Sequence, residues 1–272
     1  MSDPYEFYSE VLNQLLTQRL LSKESRILVV AAGMSDCNTL QRCGFTNATL
    51  SNLNGELEVA YDTTFPWSRQ DAENLSYSDG EFDWVIEHNG IHHCASPHRA
   101  VLEMCRVAKR GIVFFEPYDN LVTRIGVRLG FGQEFEHAAV YYSGGSKLGG
   151  LRNTEIPNYV YRWTRREIQK TVASYEPYGP HQFQFIHRMR VPWGQLRGRR
   201  NKLPFLMVCA AWPLLRLIDW LAPSQANSFA AVVLKPDLRR DVYPWLTPSE
   251  TDRPTINSRW LEARYGPLPP AH

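Results

Sequence analysis

Apolar positions near the start of the chain recur at helical spacing: Tyr8, Val11, Leu12, Leu15, Leu16 and Leu20 predict an amphipathic helix over residues 5–22. The rhythm then changes. Arg26 to Ala32 (RILVVAA) is a short, uninterrupted apolar run, the signature of a strand covered on both faces of a parallel sheet. Asp36 to Cys43 returns to helical spacing and closes on Gly44, a helix C-terminal glycine. Ala48 to Leu53 reads as a second strand, Phe82 to Glu87 (FDWVIE) as a third and Gly111 to Glu116 (GIVFFE) as a fourth. A helix over Pro97 to Ala108 lies between the last two. Strands alternating with helices predict an α/β fold with a mainly parallel sheet.

Beyond Asn120 the pattern loosens. Leu121 to Gly132 reads as a helix, and the glycine-rich, polar stretch Tyr141 to Asn158 as a long loop, a type of segment that often carries function. Thr164-Arg-Arg-Glu167 is a capping box opening another helix. His181 to Val191 alternates like a strand, and Ser228 to Leu234 (SFAAVVL) is the last strand. From Lys235 the chain carries seven prolines and little periodicity, so a tail over 237–272 is expected to wrap the surface or remain disordered. There is no internal repeat.

The chain has 272 residues and ordinary apolar content, enough for one large α/β domain or two small ones. A net charge of only +2, with both signs mixed along the chain, gives no global attraction to nucleic acid. The basic run from Arg188 to Lys202 reads as a solvated loop, with a phosphate-bearing partner as the alternative. Five cysteines without C-x-x-C spacing suggest reduced, buried thiols in a cytoplasmic protein and neither a zinc knuckle nor a disulfide scaffold. The N-terminal stretch is acidic and amphipathic, unlike a signal peptide. Leu203 to Ala222 is the most apolar stretch and has about the length of a membrane span, but Pro204, Pro213, Arg216 and Asp219 interrupt it. The expectation is a buried or lid helix, with peripheral membrane contact as the alternative.

Candidate chemistry gathers where the strands end. In a doubly wound sheet, ligands sit at the carboxyl ends of the strands. The turn Ala31-Ala32-Gly33-Met34-Ser35-Asp36 is placed to let a ligand approach the backbone and a helix N-terminus, though it lacks a full G-x-G-x-G set and reads equally as a plain tight turn. Nucleotide-binding sheets place an acid after the second strand to hold ribose hydroxyls; here Asn54 takes that place without the charge, and charge-assisted bonds are about twice as strong as neutral ones. Asp71-Ala72-Glu73 forms an acidic turn. His88, His92 and His93 follow a buried strand, and a histidine near its ordinary pKa can take a proton from a hydroxyl. Metal binding would need convergent partners, and no such set is evident in the sequence, so no metal is expected. Adjacent histidines point apart on an extended chain, so at most one of His92 and His93 is expected to face a ligand. Glu116 can point into the crevice or cap the next helix.

Five segments together resemble class I S-adenosylmethionine (SAM)-dependent methyltransferases of the small-molecule branch: ILVVAAGMSD at 27–36, GFTNATLSNLN at 44–54, DAENLSYSDGEFDWVI at 71–86, NGIHHCASPHRAVLEMCRVAKRGIVFFEP at 89–117 and SFAAVVLKP at 228–236. The resemblance implies a Rossmann-like, doubly wound seven-stranded sheet with the last strand antiparallel. It implies a catalytic domain over 1–236, with acceptor or lid insertions near 118–163 and 193–224. SAM would be the cofactor and S-adenosylhomocysteine (SAH) the product. Ala31, Gly33 and Asp36 would line the methionine end, Asn54 the ribose, Asp71 and Ala72 the adenine, and His88 the face beneath the cofactor. His92 would be the base for a hydroxyl acceptor, with His93 second. Tyr141, Tyr142, Arg152, Tyr159, Tyr161, Trp163 and Trp193 would build an acceptor pocket for a sugar, a polyketide or another natural product, though they could equally be core. A homodimer is an option that the resemblance leaves open. The alternatives are a degenerate fold repurposed for binding without methyl transfer, and a lipid-modifying enzyme at a membrane surface. A nucleic-acid acceptor is not expected, because no N-P-P-Y-type motif is present.

Overall fold

A computed structural model describes residues 6–54, 64–142, 149–198, 200–249 and 253–267. Helix α1 (Glu6–Thr17) precedes the first strand, β1 (Ile27–Val30). Helix α2 (Met34–Cys43), β2 (Ala48–Asn52), β3 (Trp67–Arg69) and β4 (Phe82–His88) follow. A 3-10 turn (Ile91–His93) leads into α3 (Pro97–Val107) and β5 (Ala108–Pro117). Then come α4 (Leu121–Arg128), α5 (His137–Tyr142), a second 3-10 turn (Leu151–Asn153), α6 (Arg165–Tyr175) and β6 (Gln182–Arg188). Helices α7 (Trp193–Gly198) and α8 (Leu203–Leu221) and a third 3-10 turn (Pro223–Gln225) lie between β6 and β7 (Ser228–Leu234).

Seven strands form one sheet in the order β3-β2-β1-β4-β5-β7-β6. The pairs from β3 through β5 are parallel, and β7 runs antiparallel to both β5 and β6. This is the expected Rossmann-like sheet with an antiparallel last strand. The strand order reverses between β1 and β4, so the crevice that binds ligands in doubly wound sheets opens at their carboxyl ends.

The apolar runs become central strands because both faces of the sheet are covered. Trp84 and Ile86 of β4 point into a layer with Tyr8, Leu12 and Leu15 of α1 and Leu40 of α2. Val85, one residue out of phase, points into the opposite layer with Val101 and Met104 of α3 and Ile168 and Val172 of α6, and Phe82 joins it across a register irregularity between Phe82 and Trp84. Trp84 is completely buried, so truncating it to alanine would cost about 3–5 kcal/mol. Helix boundaries follow local chemistry. Ser96 caps α3, its hydroxyl accepting from the Arg99 N–H at 3.3 Å ahead of Pro97 in the first turn. The Thr164/Glu167 capping box opens α6 as expected. Gly44 ends α2 in the left-handed conformation.

Some expectations are corrected. The apolar stretch at 203–221 is not a buried helix: Val208 is its one buried residue among those described, while Leu203, Leu206, Leu214, Leu217 and Trp220 are exposed. Of the buried or lid helix expected, the buried option fails: a segment apolar on all sides suits a core or a bilayer equally. The tail contains ordered elements, a two-stranded β8 (Leu246–Thr247) and β9 (Thr255–Ile256) and a helix α9 (Ser258–Tyr265). These short pieces are too brief to leave a periodic signature. The edge strand β3 went unpredicted because WSR has no apolar run.

Candidate active site

The crevice at the switch point is a cleft of about 220 Å³. It is lined by Ala31 from the end of β1, Asn52 and Leu53 from β2, Gln70 to Glu73 after β3, and Asn89, Gly90, His93 and Cys94 after β4. Arg152 and Asn153 close it from the second 3-10 turn. Ala31, Asp71, Ala72 and His93 are therefore brought together as the sequence suggested.

Ala31 holds φ at 52°, in the left-handed region that favours glycine. Gly90 sits against it: a Cβ on Gly90 would lie 2.5 Å from the Ala31 Cβ. The turn therefore keeps the geometry of a glycine-rich loop with alanine in one of its places. Gly33 caps α2, and Asp36 turns inward. Asp36 Oδ2 accepts the Gly33 N–H at 2.8 Å, and the side chain is buried beside Tyr8. Burial pushes its pKa up to about 7. Asp36, expected at the methionine end, does not line the cleft: its carboxylate accepts the Gly33 N–H at the start of α2.

Asn54 is likewise outside the cleft lining; Asn52 holds that place. Strand β2 ends at Asn52, one residue earlier than the run of sequence implied. Asn52 Nδ2 donates to the Ala32 carbonyl at 2.8 Å, and its Oδ1 accepts from Asn153 Nδ2 at 3.0 Å and from the Asn54 N–H at 3.2 Å. His88 also leaves the cofactor face. It is the last residue of β4 and stacks on Tyr8 of α1, ring centroids 4.5 Å apart, with burial pushing its pKa down to about 3.

Asp71 forms its own turn, Oδ1 accepting the Glu73 N–H at 3.0 Å. Arg152 spans the acidic pair, with Nη2 2.8 Å from Asp71 Oδ2 and Nη1 2.7 Å from Glu73 Oε2. Burial works against the Asp71 carboxylate, but the Glu73 N–H and Arg152 outweigh it and hold the pKa below the ordinary range. Glu73 also accepts the N–H groups of Ala95 and Ser96, so it fixes the loop leading to α3.

The histidines behave differently from expectation. Ile91–His93 is a tight turn, not an extended segment, and the two rings converge, centroids 4.4 Å apart. His92 is buried; its Nδ1 lies 2.9 Å from both oxygens of Glu116, and its Nε2 lies 3.2 Å from Glu136 Oε2. His93 Nε2 lies 3.6 Å from the same Glu136 oxygen. Burial alone would lower the His92 pKa, but the two carboxylates outweigh it and raise it well above the ordinary value. His92 does not line the cleft. His93 does line it, and burial together with neighbouring His92 pushes its pKa below the ordinary value. Of the two candidate bases, His93 is the one that borders the cleft. Glu136 was missed because it comes 44 residues after His92, from the segment before α5. Glu116 points into this group and does not cap the next helix, where Asn120 serves.

Of the expected aromatic wall, Trp163 is fully buried core, Tyr161 donates to Glu167 and meets Trp163 edge to face, and Trp193 packs on Phe205 and Trp212. Tyr159 remains exposed and meets Phe135, next to Glu136, edge to face at 5.6 Å. Tyr141 is exposed. The side chain of Tyr142 lies outside the described residues.

Residues 45–115 match the family model described as a methyltransferase domain. No curated protein matches. Among solved structures, the chain is similar to the YcgJ protein from Bacillus subtilis, at 14% identity over 84% of this chain and 96% of that one, TM-score 0.47. It is similar to magnesium protoporphyrin IX methyltransferase from Synechocystis PCC 6803, solved with bound SAH, at 12% identity over 84% and 81%, TM-score 0.45. It is also similar to the [4+2]-cyclase SpnF, at 13% identity over 84% and 81%, TM-score 0.47. The similarity to a methyltransferase domain is carried by residues 45–115, and SAM is the cofactor that this match indicates.

The cleft fits the adenosine part of that cofactor in kind. A carboxylate acceptor at Asp71, a small residue at Ala72 and a side-chain amide at Asn52 surround one crevice.

Proposed function

We propose that this protein is a SAM-dependent methyltransferase that methylates a hydroxyl oxygen of a small-molecule acceptor, a sugar, polyketide or other natural product. One observation carries the reading: the Asp71–Ala72 turn and His93 share a single cleft, with the His92–Glu116–Glu136 group directly behind it. When bound, the cofactor supplies a methyl group activated on a sulfonium. The chain's own work is then positioning, exclusion of water and removal of a proton. Asp71 and the Ala72 N–H hold the adenine, Asn52 the ribose, and the turn at Ala31 and Gly33 the methionine end. The His93 side of the histidine–carboxylate group faces the acceptor hydroxyl, and Glu116 fixes the orientation of His92. Phe135 and Tyr159 offer an exposed aromatic wall beside it, suited to a sugar face or a planar acceptor.

Label transfer from methyl-tritiated SAM into a panel of sugar and polyketide alcohols tests the reading. The expected result is transfer by the native chain and roughly a hundredfold loss in His93→Ala. Transfer to no acceptor, or transfer unchanged in His93→Ala, speaks for the repurposed fold.

A second reading concerns where the acceptor is met. Helix α8 is 19 residues long and apolar enough to cross a membrane, yet it lies outside the core. Exposed Arg200, Lys202 and Arg216 flank its apolar surface. Apolar side chains beside basic ones suit an anionic lipid surface. We infer that α8 rests on the cytoplasmic face of a membrane and that the acceptor is lipid-carried.

A further inference from the structure

Two imidazoles and a carboxylate converge at the edge of the cleft. His92 Nε2 and His93 Nε2 lie 3.2 and 3.6 Å from Glu136 Oε2, and the three ligand atoms all fall within 4.8 Å of one another. Ligands held at about 2.0–2.1 Å by a tetrahedral ion stand about 3.3 Å apart, so the two short separations match edges of such a polyhedron. Behind the set, the Glu116 carboxylate, completely buried, lies against His92 Nδ1. This is the carboxylate–histidine arrangement that fixes a tautomer with its proton on Nδ1 and its lone pair on Nε2, facing the metal.

We propose that His92, His93 and Glu136 bind a divalent transition-metal ion of the zinc class, with Glu116 as its outer-sphere support. Three protein ligands leave a position open, as in catalytic and not structural sites. Because His93 also lines the cleft, the open position faces the place assigned to the acceptor, and an acceptor hydroxyl oxygen completes the coordination. The ion-binding site itself stands on geometry; its role toward the acceptor rests on the methyl-transfer reading.

The test uses the full chain, stripped with a chelator, dialysed and titrated with Zn²⁺ against a chromophoric competitor, and separately with Co²⁺ by visible absorption. The expected result is one equivalent bound tighter than about 1 µM, with Co²⁺ giving the absorption bands of a four-coordinate site. His93→Ala and Glu136→Gln, both at partly exposed positions, should each weaken binding at least tenfold, and Glu116→Gln by about 10–100-fold. No stoichiometric binding overturns the proposal, as does binding of equal strength in His93→Ala and Glu136→Gln, which would place the ion on one of the five cysteines. SAH binding by the stripped native chain is measured in parallel. It reports on the cofactor cleft alone, so a failure of the metal site and a failure of the methyltransferase reading give different results.

Discussion

Arg152 lies across Asp71, its Nη2 2.8 Å from the carboxylate oxygen that the cofactor's adenine amine would need. The same guanidinium bonds Glu73, and Arg152 and Asn153 both adopt left-handed backbone angles, φ 51° and 58°. Binding adenine at Asp71 therefore competes with an ion pair. The pair is partly exposed and salt-screened, worth about 0.5–1 kcal/mol. Arg152→Ala is expected to tighten SAH binding by roughly two- to fivefold in calorimetric titration. Weaker binding in the variant would make Arg152 a cofactor ligand instead of a competitor.

Ala31 carries a left-handed conformation at a cost of about 1 kcal/mol that glycine would not pay. Ala31→Gly should raise the free energy of unfolding by about that amount in urea denaturation. Gly90→Ala should lower it by about 1–3 kcal/mol or more, because the new methyl meets the Ala31 Cβ at 2.5 Å. A neutral Gly90→Ala would show that the turn is looser than described.

Asp36 predicts a pH dependence. Its folded pKa, about 7, lies above its ordinary value of 3.8 because of burial. The folded state therefore holds a proton that the unfolded state releases between those values. The stability it contributes is fully present below pH 3.8 and is lost as pH rises through 7, by an amount of the order of 2–4 kcal/mol. Asp36→Asn keeps an oxygen for the Gly33 N–H and should flatten that part of the profile. Equal slopes for native and variant between pH 5 and pH 8 would contradict the assignment.

Helix α8 should carry the protein onto anionic vesicles. Sedimentation with phosphatidylglycerol-containing liposomes is expected to bring down the native chain and to lose most of it in Leu217→Glu/Trp220→Glu, whose positions are exposed and therefore tolerant of charge. No sedimentation of the native chain would leave α8 for a protein partner.

Much of the sheet was legible because central strands of a parallel sheet must be apolar on both faces, and ILVV, FDWVIE and GIVFFE stand out for that reason. The helix starts were legible from caps such as Thr164 and Ser96. The site was legible only where it is local, as in Asp71-Ala72 and His92-His93. Asn52 was passed over for Asn54 because strand ends drift by a residue or two in sequence, and at the end of a strand that decides which side chain reaches the ligand. Asp36 looked like a ligand because a carboxylate after a strand-to-helix turn serves equally to cap the helix. Glu136 carries no local signal: tertiary structure brings it to the histidines. The apolar stretch at 203–221 shows the limit of composition, which records that a segment avoids water but not what covers it.

The central claim, that the switch-point cleft holds SAM, is tested most directly by calorimetric titration of the purified chain with SAH, alongside Asp71→Ala and Asn52→Asp. The account predicts micromolar binding by the native chain, about tenfold weaker binding by Asp71→Ala and tighter binding by Asn52→Asp, where a charge-assisted bond to the ribose outweighs the lost bond to the Ala32 carbonyl. No heat of binding in the native chain and in Asn52→Asp would contradict it and leave a methyltransferase fold put to another use.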